Sequence, residues 1–165
     1  MENREFIPVV LGIDVGAYSI ARTFYEHYQV KTIIVGKYTY WMTSYSKITE
    51  TYIVNNMKEE ILIKFLIELA GKYKNKKLLL FGCSEDYVDI IIRNKKELSK
   101  YFVVPMVDED VLNKVVRKEG FYEICEKVKI NYPKTLVVNK DNYKDVNIHF
   151  KYPIVGKVSN KAKYQ

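Results

Sequence analysis

The 165 residues are 48% hydrophobic and 28% charged, and 27 Lys and Arg against 20 Asp and Glu leave a net charge of +7. That length suits one globular domain, or one and a fraction, and that apolar content excludes a disordered chain. The two cysteines, Cys83 and Cys125, stand far apart with no Cys-x-x-Cys and no Cys/His cluster, which excludes a disulfide framework and a structural zinc site.

The positive charge comes mainly from lysine, in pairs such as Lys76-Lys77 and Lys95-Lys96. Lysine on solvated helix faces accounts for it, and no nucleic-acid partner is expected. The opening "MENREFIPVVLGIDVGA" has a short apolar run broken by Pro8 and ended by Asp14, unlike a signal peptide. No apolar segment reaches bilayer-spanning length, so a cytoplasmic protein with reduced thiols and no membrane partner is expected.

In chain order, "FIPVVLGID" reads as a strand buried on both faces and closed by Gly12. "GAYSIARTFYEHY" sets Ala17, Ile20, Ala21, Phe24 and Tyr25 at helical spacing, and "VKTIIVG" is a second buried strand. Together they predict a βαβ unit. Residues 37–50, polar and aromatic without a period, predict a surface loop carrying the only tryptophan. "TYIVNN" suggests a short strand, with Asn55 or Asn56 capping a helix from Met57 to about Tyr73. "KKLLLFG" is a further strand, Ser84 caps the helix "EDYVDIIIRN", and "YFVVP" is a strand stopped by Pro105. This alternation predicts an α/β domain with an open, mainly parallel sheet of the doubly wound, Rossmann-like type.

The pattern changes near Asp108, giving an expected boundary between residues 1–107 and 108–165. Two short helices, "DEDVLNKVV" and "RKEGFYEICEKVKI", are followed by predicted strands in "YPKTLVVN" and "YPIVGKVSN".

The turn from Gly12 to Ala17 invites a dinucleotide reading, but Asp14 stands where that fingerprint wants a glycine, and its carboxylate would repel a pyrophosphate. A substrate-facing loop and a purely structural turn both remain open there. The helix start behind it offers N–H groups to a carboxylate or phosphate. Ser84, Glu85 and Asp86 end a strand where such sheets collect ligands, and they also have the composition of an ordinary helix cap. Cys83 and Cys125 read as packing residues. Lys157, inside an apparent apolar strand, must either reach its ammonium to water or meet an anion.

Taken in order, "LGIDVGAYSIARTF", "YSKI", "LLLFGCSEDYVDIIIRNKKELSKYFVVP", "KEGFYEIC", "INYPKT" and "YPIVGKVSN" resemble the amino-terminal part of an ATP-grasp ligase. The similarity is greatest to the carboxylate–amine branch that includes the D-aspartate ligases of cell-wall peptidoglycan synthesis. The resemblance implies a pre-ATP-grasp α/β domain followed by the opening of an α+β ATP-grasp module. It implies small carboxylate and amine substrates, held by Asp14, Gly16, Ala17, Tyr18, Ser46, Lys47 and Ser84. Lys118 and Lys157 would approach the phosphates of ATP, with Ser159 and Asn160 opening the covering loop and Mg2+ as cofactor of the full-length enzyme.

Val158 replaces the family's usual proline, Gly120 interrupts the helix of Lys118, and Lys129-Ile130-Asn131 replaces a glycine-isoleucine-proline connector. The family's adenine clamp and acidic metal ligands lie beyond the stretch matched here. The isolated chain is therefore expected to be inactive, to lack a metal site, to bind ATP weakly at most and to self-associate. The alternative is a non-catalytic α/β module that binds a small ligand or a protein.

Overall fold

A computed structural model describes residues 5–115 and 118–157. The chain divides into two compact units, one through Asp108 and one from Glu109.

In the first unit the elements are β1 (Phe6–Leu11), α1 (Val15–Tyr28), β2 (Thr32–Gly36), α2 (Trp41–Ser44), β3 (Thr49–Ile53), α3 (Glu59–Lys72), β4 (Lys77–Gly82), α4 (Glu85–Arg93) and α5 (Lys95–Leu98). The strands form one parallel sheet in the order β3-β2-β1-β4. This is the α/β architecture expected from the alternation of buried strands and helices.

The period-two alternation sorts the strand side chains onto two faces. Val9, Leu11, Ile33, Val35, Leu78 and Leu80 turn toward Leu62, Leu66 and Leu69 of α3 and Ile91 of α4. Val10 and Ile34 turn the other way, where Ala17 and Ala21 let α1 lie close to the sheet. Burial on both faces is what a parallel sheet requires. Pro8 lacks an N–H but precedes the β1–β2 ladder, which begins at Val9 opposite Ile33.

Several expectations are corrected. Residues 37–50 are not a plain loop but contain α2. The α3 helix is capped at Lys58 with no side-chain bond, and Asn56 instead accepts from the Lys58 N–H at 3.1 Å. "YFVVP" contributes only a bridge from Val103 to Leu79, because the backbone turns away after one pairing.

The second unit holds α6 (Glu109–Val115) and α7 (Lys118–Lys127). "YPKTLVVN" is irregular and exposed, not a strand. So is Tyr152 to Lys157, and Val158 lies outside the described residues. A strand persists only when its N–H and C=O groups meet a neighbour's, and the described residues give these segments none. No strand forms among the described residues of this unit, so the α+β character expected for it is represented only by helices.

Two local features give stability predictions. Thr32 is fully buried, and its Oγ1 has no partner among the described residues. Thr32→Val keeps the shape and removes an orphaned hydroxyl, so urea unfolding should show a gain of about 1 kcal/mol. Gly120 lies where a Cβ would come 2.1 Å from the Lys114 carbonyl oxygen at the end of α6. Gly120→Ala should therefore lower the thermal midpoint, although alanine in an open helix gains about 1 kcal/mol.

Candidate functional site

The chain runs β1, β2, β3 outward in one direction, then returns through α3 to place β4 on the other side of β1. Strand order thus reverses between β1 and β4, and the crevice outside their carboxyl ends is where open α/β sheets hold ligands. Its walls are the turn after Leu11 and the turn after Gly82.

Asp14 caps α1: its Oδ1 accepts from the Gly16 N–H at 2.9 Å and the Ala17 N–H at 3.2 Å. The Tyr18 N–H bonds the Asp14 carbonyl at 3.1 Å, beginning the helical ladder. Across the crevice, Ser84 caps α4 and its Oγ accepts from the Tyr87 N–H at 3.4 Å. The Cys83 thiol joins the walls, donating to Asp14 Oδ1 at 3.6 Å. Gly12 makes this approach possible, because a Cβ there would stand 1.8 Å from Cys83 Sγ.

The electrostatics follow from this packing. Burial pushes the Cys83 thiol from its ordinary 9.0 up to about 11, with the charge and hydrogen bond of Asp14 adding to the shift. A thiol so raised is a poor nucleophile at neutral pH, as a packing residue would be. The Tyr87 phenol is raised by burial first, then by Cys83, Tyr38, Asp14 and Asp86. With Glu85 and Asp86 in the first turn of α4, the crevice is acidic and rich in acceptors. The first-turn N–H groups of Gly16 and Ala17, expected to be free for an anion, are taken by Asp14. No hydrogen bond among the described residues occupies Asp14 Oδ2. Chemically the crevice suits a cationic amine better than a phosphate.

The structure brings Asp14, Gly16, Ala17, Tyr18 and Ser84 to this one end of the sheet. It does not bring Ser46 and Lys47 there. They precede β3 at the amino ends of the strands, where the Thr32 N–H bonds the Ile48 carbonyl at 3.1 Å. Lys118 opens α7. Lys157 is exposed on irregular backbone, so its ammonium meets water directly and the tension of a lysine in a buried strand disappears. Ser159 and Asn160 lie outside the described residues.

Tyr87, in the first turn of α4, and Tyr38, two residues after β2, were not singled out in the sequence; Tyr38 comes near enough to Tyr87 to contribute to raising its phenol. Among the described residues no group of three or more His, Cys, Asp or Glu side chains is placed to hold a metal ion.

No family model matches the chain. It is 33% identical over 172 residues to the D-aspartate ligase of Enterococcus faecium (strain Aus0004). A relationship to ligases is supported. The match takes in 99% of this chain and 41% of that protein, so the chain spans well under two thirds of its curated relative. No helix among the described residues is long and apolar enough to cross a membrane.

Proposed function

We propose that this chain is the substrate-holding, amino-terminal portion of an ATP-dependent carboxylate–amine ligase. The observation that supports this is 33% identity across 99% of the chain to a protein named D-aspartate ligase. In this reading a carboxylate takes the terminal phosphoryl group of ATP, ADP leaves, and an amine displaces phosphate from the acyl phosphate to form an amide. The phosphoryl step is governed by positioning and electrostatics.

The crevice between β1 and β4 holds the small amino-acid substrate, D-aspartate or a close analogue. Asp14 receives its ammonium through the oxygen that the cap leaves open, and Gly16, Ala17, Tyr18 and Ser84 shape the recess around it. Ser46 and Lys47 would reach a substrate only from the opposite end of the sheet. Lys118, Lys157, Ser159 and Asn160 belong to the nucleotide side, completed in the full-length enzyme with Mg2+.

Amide-resolved NMR titration of the chain with D-aspartate tests the reading. Shifts are expected at residues 12–18 and 83–87, and should vanish in Asp14→Ala. Saturating D-aspartate without any change there would sink the crevice assignment. Calorimetry with ATP and Mg2+ should give weak heat or none, and tight magnesium-dependent binding to these residues would overturn the expectation that this chain binds ATP weakly at most.

A further inference from the structure

We propose that Tyr87 is a specificity-determining residue of the crevice, its phenol donating a hydrogen bond to the substrate carboxylate that does not react. The inference rests on the ligase reading of the crevice and gives the acid end of the amino acid its partner.

Close packing holds Tyr87 across the crevice. α4 starts directly behind β4, so tightly that a Cβ on Gly82 would stand 2.8 Å from the Val88 nitrogen and 3.1 Å from Tyr87 Cβ. The Tyr87 N–H is bound to Ser84 Oγ, which fixes the first turn. Tyr87 also packs on the edge of the main core. The far edge of its ring reaches the turn after β1, where Cε2 would lie 3.8 Å from a Cβ on Gly12. The ring therefore spans from one wall to the other, beside Asp14 and Cys83.

Its hydroxyl is what the crevice otherwise lacks. Asp14 suits the ammonium of an amino acid, but Asp14, Glu85 and Asp86 repel its carboxylates. The turns that wall the crevice, residues 11–18 and 82–88, hold no lysine or arginine. The Gly16 and Ala17 N–H groups and the Cys83 thiol are already given to Asp14. Among the described residues no hydrogen bond occupies the Tyr87 hydroxyl. Burial raises this phenol above its ordinary 10.0, so it keeps its proton and donates at neutral pH. Tyr38, exposed and near enough to contribute to that rise, flanks it from beyond β2.

Of two carboxylates, the one activated by ATP must reach the nucleotide side, so the crevice retains the other. A site built to hydrogen-bond one substrate group rejects analogues that lack it. Tyr87 thereby selects an amino acid with two carboxylates over one with a single carboxylate.

The chain is titrated with D-aspartate and with its two monoamides, D-asparagine and D-isoasparagine, by amide-resolved NMR. Tyr87→Phe keeps the ring, removes the hydroxyl and should weaken D-aspartate about tenfold. One monoamide carries its amide in place of the retained carboxylate, and for it the variant should cost markedly less. For the other monoamide the loss should match that for D-aspartate. In the parent chain the Cζ resonance of Tyr87 should move with the same midpoint as the amides, which packing alone would not produce. An equal loss for all three ligands, or no loss for any, overturns the proposal. Shifts that vanish in Lys37→Gln but persist in Tyr87→Phe overturn it in favour of the exposed lysine beside Tyr38. If Tyr87→Phe loses its helical circular dichroism, the Cζ titration of the parent decides, and a Cζ resonance that stays still overturns the proposal. A parent chain that binds none of the three ligands overturns the crevice assignment and this inference together. Binding that Asp14→Ala abolishes and Tyr87→Phe leaves intact overturns only the role given to Tyr87.

Discussion

Gly12→Ala is expected to lower the thermal midpoint of this chain by roughly 5–20 °C. Gly12 has φ +131°, a conformation that L side chains rarely adopt, and its N–H is tied to the Val35 carbonyl at 2.9 Å. The turn cannot relax without breaking that bond between β1 and β2. Backbone strain of this kind costs roughly 1–3 kcal/mol. The new methyl would also overlap Cys83 Sγ, and overpacking adds roughly 1–3 kcal/mol more. The two contributions separate in a double-mutant comparison. In Gly12→Ala with Cys83→Ala the sulfur is gone but the residue 83 Cβ remains 3.3 Å away, so recovery should be partial. A single variant that melts with the parent chain would show that the turn is not built this way.

The second large effect concerns the Asp14–Cys83 pair. Asp14→Asn keeps an oxygen to cap α1 and removes the charge beside the thiol. The pH midpoint for alkylation of Cys83, followed by mass spectrometry of its peptide, should then fall below about 11 while staying above 9.0, because burial, the first cause, is untouched. Near pH 9 each unit of fall raises the thiolate fraction about tenfold. Asp14→Ala should move the midpoint the same way and cost about 1 kcal/mol in addition, as the cap is lost. An unchanged midpoint in both variants would mean that the carboxylate does not face the sulfur.

The same pair makes stability depend on pH. The folded thiol keeps its proton to about 11, whereas the unfolded one releases it near 9.0. Below pH 9 this contribution to stability is complete. Between 9 and 11 the unfolded chain binds fewer protons than the folded one, so stability falls with rising pH. The fall should be smaller in Asp14→Asn, as read from urea midpoints across that window.

Much of the first unit was legible because its signals are local. Uninterrupted apolar runs marked β1, β2 and β4, helical spacing marked α1, and Ser84 announced α4 from its capping position. Asp14 was legible as an unusual residue in a glycine turn, although its bonds to Gly16 and Ala17 were not. The strands expected near Lys134 and Lys157 failed for the opposite reason. Their apolar residues resemble a strand's, but a strand also needs a partner, and partnership is not written in a single segment.

What the sequence determined by itself is therefore the identity of the elements whose hydrogen bonds or caps close within a few residues, together with the strands apolar enough to be buried on both faces. Tertiary structure alone decided the order β3-β2-β1-β4, and with it the crevice between β1 and β4. It set Cys83 against Gly12 and Asp14 across sixty-nine residues of chain, and it left Ser46 and Lys47 at the other end of the sheet. It also anchored α2 through Thr43 so that Trp41 faces solvent. Each of these depends on which strands pair. That choice is made by packing both faces of the whole sheet at once, so no local stretch of residues can encode it.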